Sequence, residues 1–190
     1  VAAGSNARTP WIAGGRLFGL DGAAQAGARR RRLSLRRALL TFTGLSRLIR
    51  KAGVELPTTD PNDPPTRVDA VSGAFFLMSR ASFDQLGGFD EGYFLHVEDL
   101  DICRRAQAAG GDVVHVPAAG ALHYGSTSAA PSTLVEQHKA RGLIRYFRKF
   151  AGSAPERVLI EIMAPVFFAL LTGRAWLRRL IGKTPSPRKT

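Results

Sequence analysis

Residues 87–101, GGFDEGYFLHVEDLD, hold the strongest fold signals in the chain. The Gly87-Gly88 step predicts the end of a short helix over residues 80–86, because glycine readily adopts the left-handed backbone that terminates a helix. The acids near residue 98 predict the start of a second helix over residues 97–109, because the helix dipole favours anions in the first turn. The stretch therefore predicts two helices joined by a polar, turn-rich loop.

Apolar runs on both sides of this stretch predict strands. Residues 68–79 are almost continuously apolar, which favours one buried strand. Residues 112–117 predict a short strand, and residues 121–124 predict another. Nearer the N-terminus, residues 11–13 and 16–18 predict two further short strands.

The two ends of the chain predict helices. Residues 29–52 are basic, with leucines at helical spacing, and predict a cationic amphipathic helix or a helix pair broken near Gly44. Residues 53–67 hold four prolines and predict a linker loop. Residues 132–150 predict a long helix, and residues 155–181 predict a last, strongly apolar helix.

Charge and cysteine content exclude several classes of protein. The 190 residues carry 27 Lys and Arg against 15 Asp and Glu, a net charge of +12. Six of the acids nevertheless lie within residues 84–101, so the chain is not simply a coat for nucleic acid. A single cysteine, Cys103, excludes an internal disulfide and a cysteine-based zinc site.

Several motifs in one register carry a family resemblance. Residues 72–126 read SGAFFLMSRASFDQLGGFDEGYFLHVEDLDICRRAQAAGGDVVHVPAAGALHYGS. This order resembles the C-terminal, acceptor-side catalytic half of family 2 glycosyltransferases, especially their bacterial rhamnosyltransferase-like members. The resemblance is close over residues 68–128 and looser over residues 11–50.

The resemblance implies a fold and a domain organisation. The expected fold is α/β, a partial GT-A-like (Rossmann-like) mixed sheet flanked by helices, with a C-terminal helical extension. Residues 1–67 would form a basic N-terminal segment with a proline-rich linker. Residues 68–128 would form the acceptor-side catalytic core, and residues 129–190 would form C-terminal helices associated with a membrane.

The Glu-Asp pair is the candidate catalytic centre. An inverting sugar transfer needs a carboxylate that takes the proton from the acceptor hydroxyl. The resemblance implies that Asp99 is this general base and that Glu98 orients the acceptor or the base. The alternative is that both residues only cap a surface helix. Asp101 is more plausible as a cap or as an ion-pair partner of Arg104 or Arg105.

Two further sites follow from the resemblance. Gly88, Phe89 and Asp90 would border the acceptor site, although Asp90 could also be a turn residue and Phe89 a core residue. His123 would contact the nucleotide diphosphate or a metal ion, since a neutral imidazole suits a divalent cation. The alternative for His123 is a strand-end histidine bonded to a backbone carbonyl.

The family's N-terminal half normally carries an Asp-x-Asp motif that holds the metal against the donor. Upstream of residue 55 this chain has one acid, Asp21. We therefore expect that the chain begins after the donor site and lacks about 100 residues, half of a typical nucleotide-binding fold. A divalent cation, Mn²⁺ or Mg²⁺, would be bound mainly by that missing half. The expected partners are a nucleoside-diphosphate sugar and a glycan or lipid-linked glycan acceptor.

The last helix suggests where the protein acts. Residues 162–173 are twelve residues without a charge, too few to span a bilayer, which takes about 20. With Trp176 and several arginines after it, this stretch favours an interfacial helix on an anionic membrane, and hence a cytoplasmic protein at the inner face of the cell membrane. A non-catalytic basic module that binds anionic membrane or nucleic acid is the alternative function, and nucleic acid is not the favoured partner.

Overall fold

The computed structural model describes residues 7–49, 53–124 and 132–180, and it shows a mixed α/β fold, as expected. Its main sheet has four strands in the order β3 (Thr66–Arg67), β6 (Val113–Leu122), β1 (Ile12–Phe18) and β5 (Phe76–Leu77). β1 and β6 run parallel, whereas β5 and β3 pair antiparallel at the two edges. The sheet is therefore mixed, and its two long strands lie in the centre.

The two central strands are longer than the sequence predicted. Residues 11–13 and 16–18 belong to one strand, β1, which passes through Gly14 and Gly15 with a register shift. Residues 112–117 and 121–124 likewise belong mostly to β6, which continues through Pro117. Each strand remains continuous because the other supplies its hydrogen-bond partners from Ile12–Val113 to Phe18–Leu122.

The prediction of helix from residue 29 was wrong. Residues Arg29–Arg30 form β2, which pairs antiparallel with β4 (Ala70–Val71) in a separate two-stranded sheet. The helix α1 covers only Leu35–Thr43, after Ser34 caps it by accepting a hydrogen bond from the amide of Arg37. It ends at Gly44, the predicted break, which adopts the left-handed conformation, and a short 3-10 turn follows at Leu45–Arg47.

The prediction of one buried strand over residues 68–79 was also wrong. β4 and β5 are separate strands of two residues each, and a turn in which the amide of Phe75 donates to the carbonyl of Ser72 lies between them. The first part of the apolar run, β4, is buried in the core. The second part, β5, pairs at the edge of the main sheet.

The helices around the central loop begin and end close to their predicted bounds. α2 covers Arg80–Gln85 and is capped by Ser79, whose hydroxyl accepts from the amide of Ser82. Gly87 and Gly88 both take the predicted left-handed conformation, with φ of 72° and 70°. α3 covers Glu98–Ala108 and carries three acids in its first turn.

Two long helices complete the fold. α4 covers Ser132–Lys149 and α5 covers Ala154–Leu180, so they form an antiparallel helical hairpin, and Ile181 of the predicted helix lies outside the described residues. The rings of Phe147 and Phe167 stack at 5.7 Å between centroids and join the middle of α5 to α4.

One hydrophobic core connects these layers. It is formed by the inner faces of the sheet, α3 and the hairpin, and its fully buried members include Ile12, Val71, Ile102, Val113, Leu143, Tyr146, Ile160 and Phe167. β1, which lies in the segment assigned to residues 1–67, sits at the centre of the sheet. The predicted boundary after residue 67 therefore does not divide the sheet, whose strands come from both sides of it. As a division between functional segments it stays a prediction.

We expect Gly111→Ala to destabilise the fold strongly. A Cβ at Gly111 would overlap the backbone of Pro10, so the turn between α3 and β6 would have to move away from the N-terminal segment. The expected loss is about 1–3 kcal/mol of unfolding free energy, measured by urea denaturation. The control is Gly173→Ala in α5, where no atom lies within 4 Å of the added Cβ. It should stabilise the helix by up to about 1 kcal/mol, and equal effects for both variants would contradict the packing argument.

Candidate active site

A strained turn delivers the Glu-Asp pair to its position. His96 and Val97 have φ of 66° and 75°, and neither is glycine. A β-branched residue is a clear outlier in this region of backbone space, and such strain concentrates at functional sites. Val97 is the N-cap of α3 and makes no side-chain capping bond. The turn therefore directs the first turn of α3, with Glu98 and Asp99, back against the core.

Asp99 is fixed by groups from three parts of the chain. Its Oδ2 accepts from the guanidinium of Arg30 at 2.9 Å and from the amide of Gly73 at 3.0 Å. Its Oδ1 accepts from the amide of Leu100 at 2.8 Å. The residue is buried, with 7% exposure. Gly73 can approach Asp99 this closely because glycine has no Cβ. A Cβ added at Gly73 would lie only 3.2 Å from the Cβ of Asp99.

Glu98 differs from its neighbour. Its Oε2 is buried and has no hydrogen-bond partner within the described part of the chain. Burial raises the pKa of the Glu98 carboxyl, and the negative charge of Asp99 raises it further, while the residue's own amide and Arg30 oppose the shift. A buried oxygen without a partner is costly, so this position is suited to a hydrogen bond from a bound ligand.

Asp101 is the centre of an ion-pair network. It is fully buried and pairs with Arg105 at 2.7 Å, one of the two partners that the sequence predicted. Its Oδ1 also accepts from Lys149 of α4 at 2.7 Å and from the hydroxyl of Tyr93 at 3.1 Å. Burial and the nearby Asp101 carboxylate raise the pKa of Tyr93, so its hydroxyl keeps its proton and remains a donor.

Gly88 takes part in this network through its carbonyl. The guanidinium of Arg105 donates to the Gly88 carbonyl at 2.8 Å and also to the carbonyl of Leu86. Arg105 therefore holds the glycine pair against α3.

Asp90 is engaged on both carboxylate oxygens. Oδ1 accepts from Arg145 at 2.7 Å and from the amide of Gly92, and Oδ2 pairs with Lys149 at 2.7 Å. Burial raises the pKa of Asp90, but the hydrogen bonds from Arg145 and Lys149 outweigh burial and lower the pKa overall. Asp90 thus ties the loop to α4, and its bond to Gly92 is that of a turn residue.

Phe89 forms an aromatic cluster beside the Glu-Asp pair. Its ring lies 6.1 Å from the ring of Phe76 and 5.8 Å from that of Phe83, measured between centroids, and 44% of the residue is exposed. Phe76 also borders Gly73, which bonds Asp99. One aromatic surface therefore extends from the loop toward the carboxylates.

His123 lies at the end of β6 and pairs with Gln25. The Gln25 amide nitrogen donates to the His123 carbonyl at 2.7 Å, which turns its oxygen toward the ring Nδ1 at 2.9 Å. An amide oxygen only accepts, so this arrangement assigns the proton to Nδ1 and leaves Nε2 as an acceptor. Gly125 and Ser126, the predicted phosphate loop, lie outside the described residues.

The residues within the described ranges do not form a metal centre. No three His, Cys, Asp or Glu side chains among them come together in a way that could hold an ion. His123 with its free Nε2 could supply at most one ligand. A cation site therefore does not fit the described part of the chain by itself.

Three functional side chains escaped sequence reasoning: Arg30, Arg145 and Lys149. Arg30 is one of four consecutive arginines, for which solvation was the expected state, and no local pattern distinguishes it from its neighbours. Arg145 and Lys149 are spaced four apart on α4 and so share one face of it, but the sequence does not say that this face meets Asp90.

Comparisons with known proteins identify the family of the chain. The family model described as "Glycosyltransferase like family 2" matches residues 22–143, more than half of the chain. Rhamnosyltransferase WbbL of Escherichia coli (strain K12) is 44% identical over 59 residues, which is 31% of this chain and 22% of that protein. The N-acetylglucosaminyl-diphospho-decaprenol L-rhamnosyltransferase of Mycobacterium tuberculosis (strain ATCC 25618 / H37Rv) is 40% identical over 84 residues, 43% of this chain and 27% of that protein.

The matched segments thus span about a quarter of the length of these relatives. Among solved structures, the crystal structure of GalNAc-T7 with UDP, GalNAc and Mn²⁺ aligns with a TM-score of 0.39 and 16% identity. That alignment covers 95% of this chain and 37% of the other.

We expect Asp101→Asn to destabilise the protein by about 2–3 kcal/mol, because it removes the carboxylate that pairs with the partly buried Arg105 and one of the two carboxylates that pair with Lys149. Urea denaturation measures the loss. The control is Asp84→Asn, which breaks an exposed pair with Arg80 on α2 and should change stability little. If the two variants lost equal stability, Asp101 would not hold the network together.

Asp90 should contribute stability that depends on pH. Its pKa is lower in the folded protein, so the contribution is present above the unfolded value of about 3.9 and is lost as the pH falls below it. We expect Asp90→Asn to be less stable than the parent at pH 7, with a difference that shrinks at pH 3. Unfolding free energies at both pH values test this. A difference independent of pH would point to lost packing instead of lost charge.

Proposed function

The chain belongs to glycosyltransferase family 2, and we propose that it forms the acceptor-side catalytic half of an inverting transferase. The enzyme would move a sugar from a nucleoside diphosphate to a glycan or a lipid-linked glycan of the cell envelope. The single observation that carries the proposal is the carboxyl pair at the start of α3, inside the segment that the family model matches.

Asp99 is proposed as the general base. Arg30 and Gly73 hold its Oδ2, while Oδ1 accepts one bond, from Leu100, and keeps a lone pair. The acceptor hydroxyl would give its proton to this oxygen as its own oxygen bonds to the anomeric carbon. The bond from that carbon to the diphosphate breaks on the opposite face, the nucleoside diphosphate leaves, and the configuration inverts.

Glu98 is proposed to orient the acceptor. Its buried Oε2 is without a partner and can accept a hydrogen bond from a sugar hydroxyl, which would satisfy the oxygen when the substrate binds. Burial raises the pKa of the Glu98 carboxyl, whereas the carboxylate of Asp99 pairs with Arg30. The two carboxyls therefore lie in different environments, which suits different roles. Arg30 would act as a positioning residue.

The loop with Gly88, Phe89 and Asp90 is proposed to form one wall of the acceptor site. The exposed part of the Phe89 ring can pack on the apolar face of a sugar. Gly88 and Asp90 would support this wall through the bonds to Arg105 and α4, since both Asp90 oxygens are engaged.

The donor side is proposed to lie mostly beyond the described residues. His123 would contact the diphosphate or a divalent cation, Mn²⁺ or Mg²⁺, through Nε2. Because the described residues hold no group of three ligands, the remaining ligands would come from elsewhere. Such a cation would neutralise charge on the departing diphosphate.

The acceptor and the location are proposed from the relatives. One relative's name specifies a decaprenol-diphosphate-linked acceptor, and the other is called a rhamnosyltransferase. By analogy, this protein would use an acceptor linked to a lipid carrier and would act at the cytoplasmic face of the cell membrane.

We expect Asp99→Asn to lower the transfer rate by about 100-fold or more, since removal of a general base typically costs this much. Glu98→Gln should raise the KM for the acceptor more than it lowers kcat, because Glu98 is proposed to bind and not to react. The assay is release of nucleoside diphosphate from UDP-, GDP- and dTDP-sugars with a polyprenyl-diphosphate sugar as the acceptor.

Asp84→Asn, remote on α2, is the matched control and should keep full activity. A thermal melt of each variant separates lost chemistry from lost folding. Full activity of folded Asp99→Asn would rule out Asp99 as the base. If a parent protein that includes the donor-binding half released no nucleoside diphosphate with any donor, the proposed function would be refuted in favour of a non-catalytic module.

A further inference from the structure

The solvent-facing side of α5 is apolar along its whole length. Its members recur at intervals of three or four, which places them on one side of a helix. They are Val158, Ile162, Pro165, Val166, Ala169, Gly173, Trp176, Leu177 and Leu180, and together we call them the α5 face. No charged residue belongs to this row, and its large members are well exposed, with Ile162 at 62% and Trp176 at 60%.

The opposite side of α5 already has its partners. Ile160, Phe167, Leu171 and Ala175 are buried against the rest of the fold. Since α5 docks on α4 through this buried side, the exposed apolar row is not required for the core. Exposed apolar patches of this extent on a soluble surface mark interaction sites.

A second apolar group lies at the same end of the molecule as Trp176. The 3-10 turn after α1 exposes Leu45, Leu48 and Ile49, and Leu48 is 81% exposed. Arg174 of α5 donates to the carbonyl of Phe42 at the end of α1, so the turn begins beside the C-terminal part of α5. The α5 face and this turn can therefore contact one surface together.

The hairpin is strongly cationic. Residues 132–180 hold nine Lys and Arg against three Glu, a net charge of +6. Arg141 and Arg148 are exposed on α4, and Arg148 pairs with Glu161 of α5 at 2.6 Å, next to Ile162. An apolar row flanked by arginines complements an anionic lipid surface, which offers hydrocarbon below a layer of negative headgroups.

α5 is also the one helix in the described ranges that is long and apolar enough to cross a membrane by length and composition. Its packing argues against a crossing. The stacking of Phe147 on Phe167 and the Arg148–Glu161 pair keep α4 alongside it. A spanning α5 would carry the arginines of α4 into the hydrocarbon, where each charge is costly.

We propose that the α5 face, together with the turn at residues 45–49, docks the protein in the plane of an anionic lipid leaflet. The apolar side chains enter the acyl region while the arginines of α4 lie at the headgroups. This proposal rests on the proposed function, because a lipid-linked acceptor would lie in such a leaflet. Docking itself requires no donor, no cation and no turnover.

The test is co-sedimentation of the full chain with vesicles of phosphatidylglycerol and phosphatidylcholine, compared with phosphatidylcholine alone. We expect binding to the anionic vesicles that weakens in 0.5 M salt, because exposed charges are then screened over about 3–5 Å. Ile162→Gln/Val166→Gln should reduce the partition coefficient by about tenfold or more, since two apolar side chains no longer enter the membrane. Glutamine is a good helix former, so α5 should persist.

The matched control is Leu20→Gln/Leu77→Gln, which removes two apolar side chains of similar exposure outside the α5 face. It should bind as the parent does. With Trp11→Phe, Trp176→Phe and Val166→Trp combined, the one tryptophan lies near the middle of α5, and its fluorescence should be quenched more by lipids brominated near the headgroup than by lipids brominated deep in the acyl chain. Stronger quenching by the lipids brominated deep in the acyl chain would indicate a crossing and would overturn the in-plane orientation.

Three results would overturn the proposal as a whole: no binding to anionic vesicles, equal binding of the α5 variant and its control, or a dimer in light scattering that Ile162→Gln/Val166→Gln dissociates. The last would assign the α5 face to a second copy of the chain. Failure of the transferase assay with intact vesicle binding would refute the proposed function alone, and active protein without vesicle binding would refute the docking alone.

Discussion

The pairing of buried carboxylates in the first turn of α3 with cations from distant parts of the chain is the constraint on which this structure depends. Asp99 is joined to Arg30, from the N-terminal segment, and Asp101 is joined to Lys149, from the C-terminal hairpin. Two carboxylates in the first turn of α3 thus connect an N-terminal and a C-terminal part of the chain to one helix. Ion pairs buried in this way cost desolvation, so their value lies in fixing one arrangement more than in stability.

This constraint also explains the shape of the candidate site. The loop that follows the glycine pair cannot relax outward, because Arg105 holds its start and the Arg145 and Lys149 pairs hold Asp90. The strain at His96 and Val97 is then compensated by contacts on both sides of the turn. The result is a rigid frame in which the Glu98 carboxyl oxygen is buried without a partner. A site that is already ordered loses less entropy when a substrate binds.

The hairpin of α4 and α5 and the carboxylate site share elements. α4 supplies Arg145 and Lys149 to Asp90 on one side and packs against α5 on the other. A change in how the hairpin sits on a surface would reach this loop through the ion pairs of Arg145 and Lys149 with Asp90 and through the contact of Phe94 with His138. If the proposed docking holds, α4 would both help to position the protein on the membrane and hold the loop proposed to contact the acceptor.

Local chemistry explains what the sequence predicted well. Helix ends at Ser79, Gly44 and the glycine pair were predictable, because capping and left-handed backbone depend on the residue at that position. The first turn of α3, the Arg105 partner of Asp101 and the family itself were likewise visible in the order of the motifs. The mixed α/β class was implied by the family resemblance.

Tertiary structure alone decided the remainder. Residues 29–30 and 76–77 became strands because they meet partners far away in the chain, although their local composition favoured helix or a single longer strand. Arg30 resembles its three arginine neighbours until the fold brings it to Asp99. Likewise, only the hydrogen bonds made in the fold distinguish the engaged Asp99 from the Glu98 oxygen, which has no partner among the described residues. The sequence by itself determined the helix ends at Ser79, Gly44 and the glycine pair, the family and the residue types of the site. The partner of each charge was decided by the fold, because an ion pair depends on distance in space and not on separation along the chain.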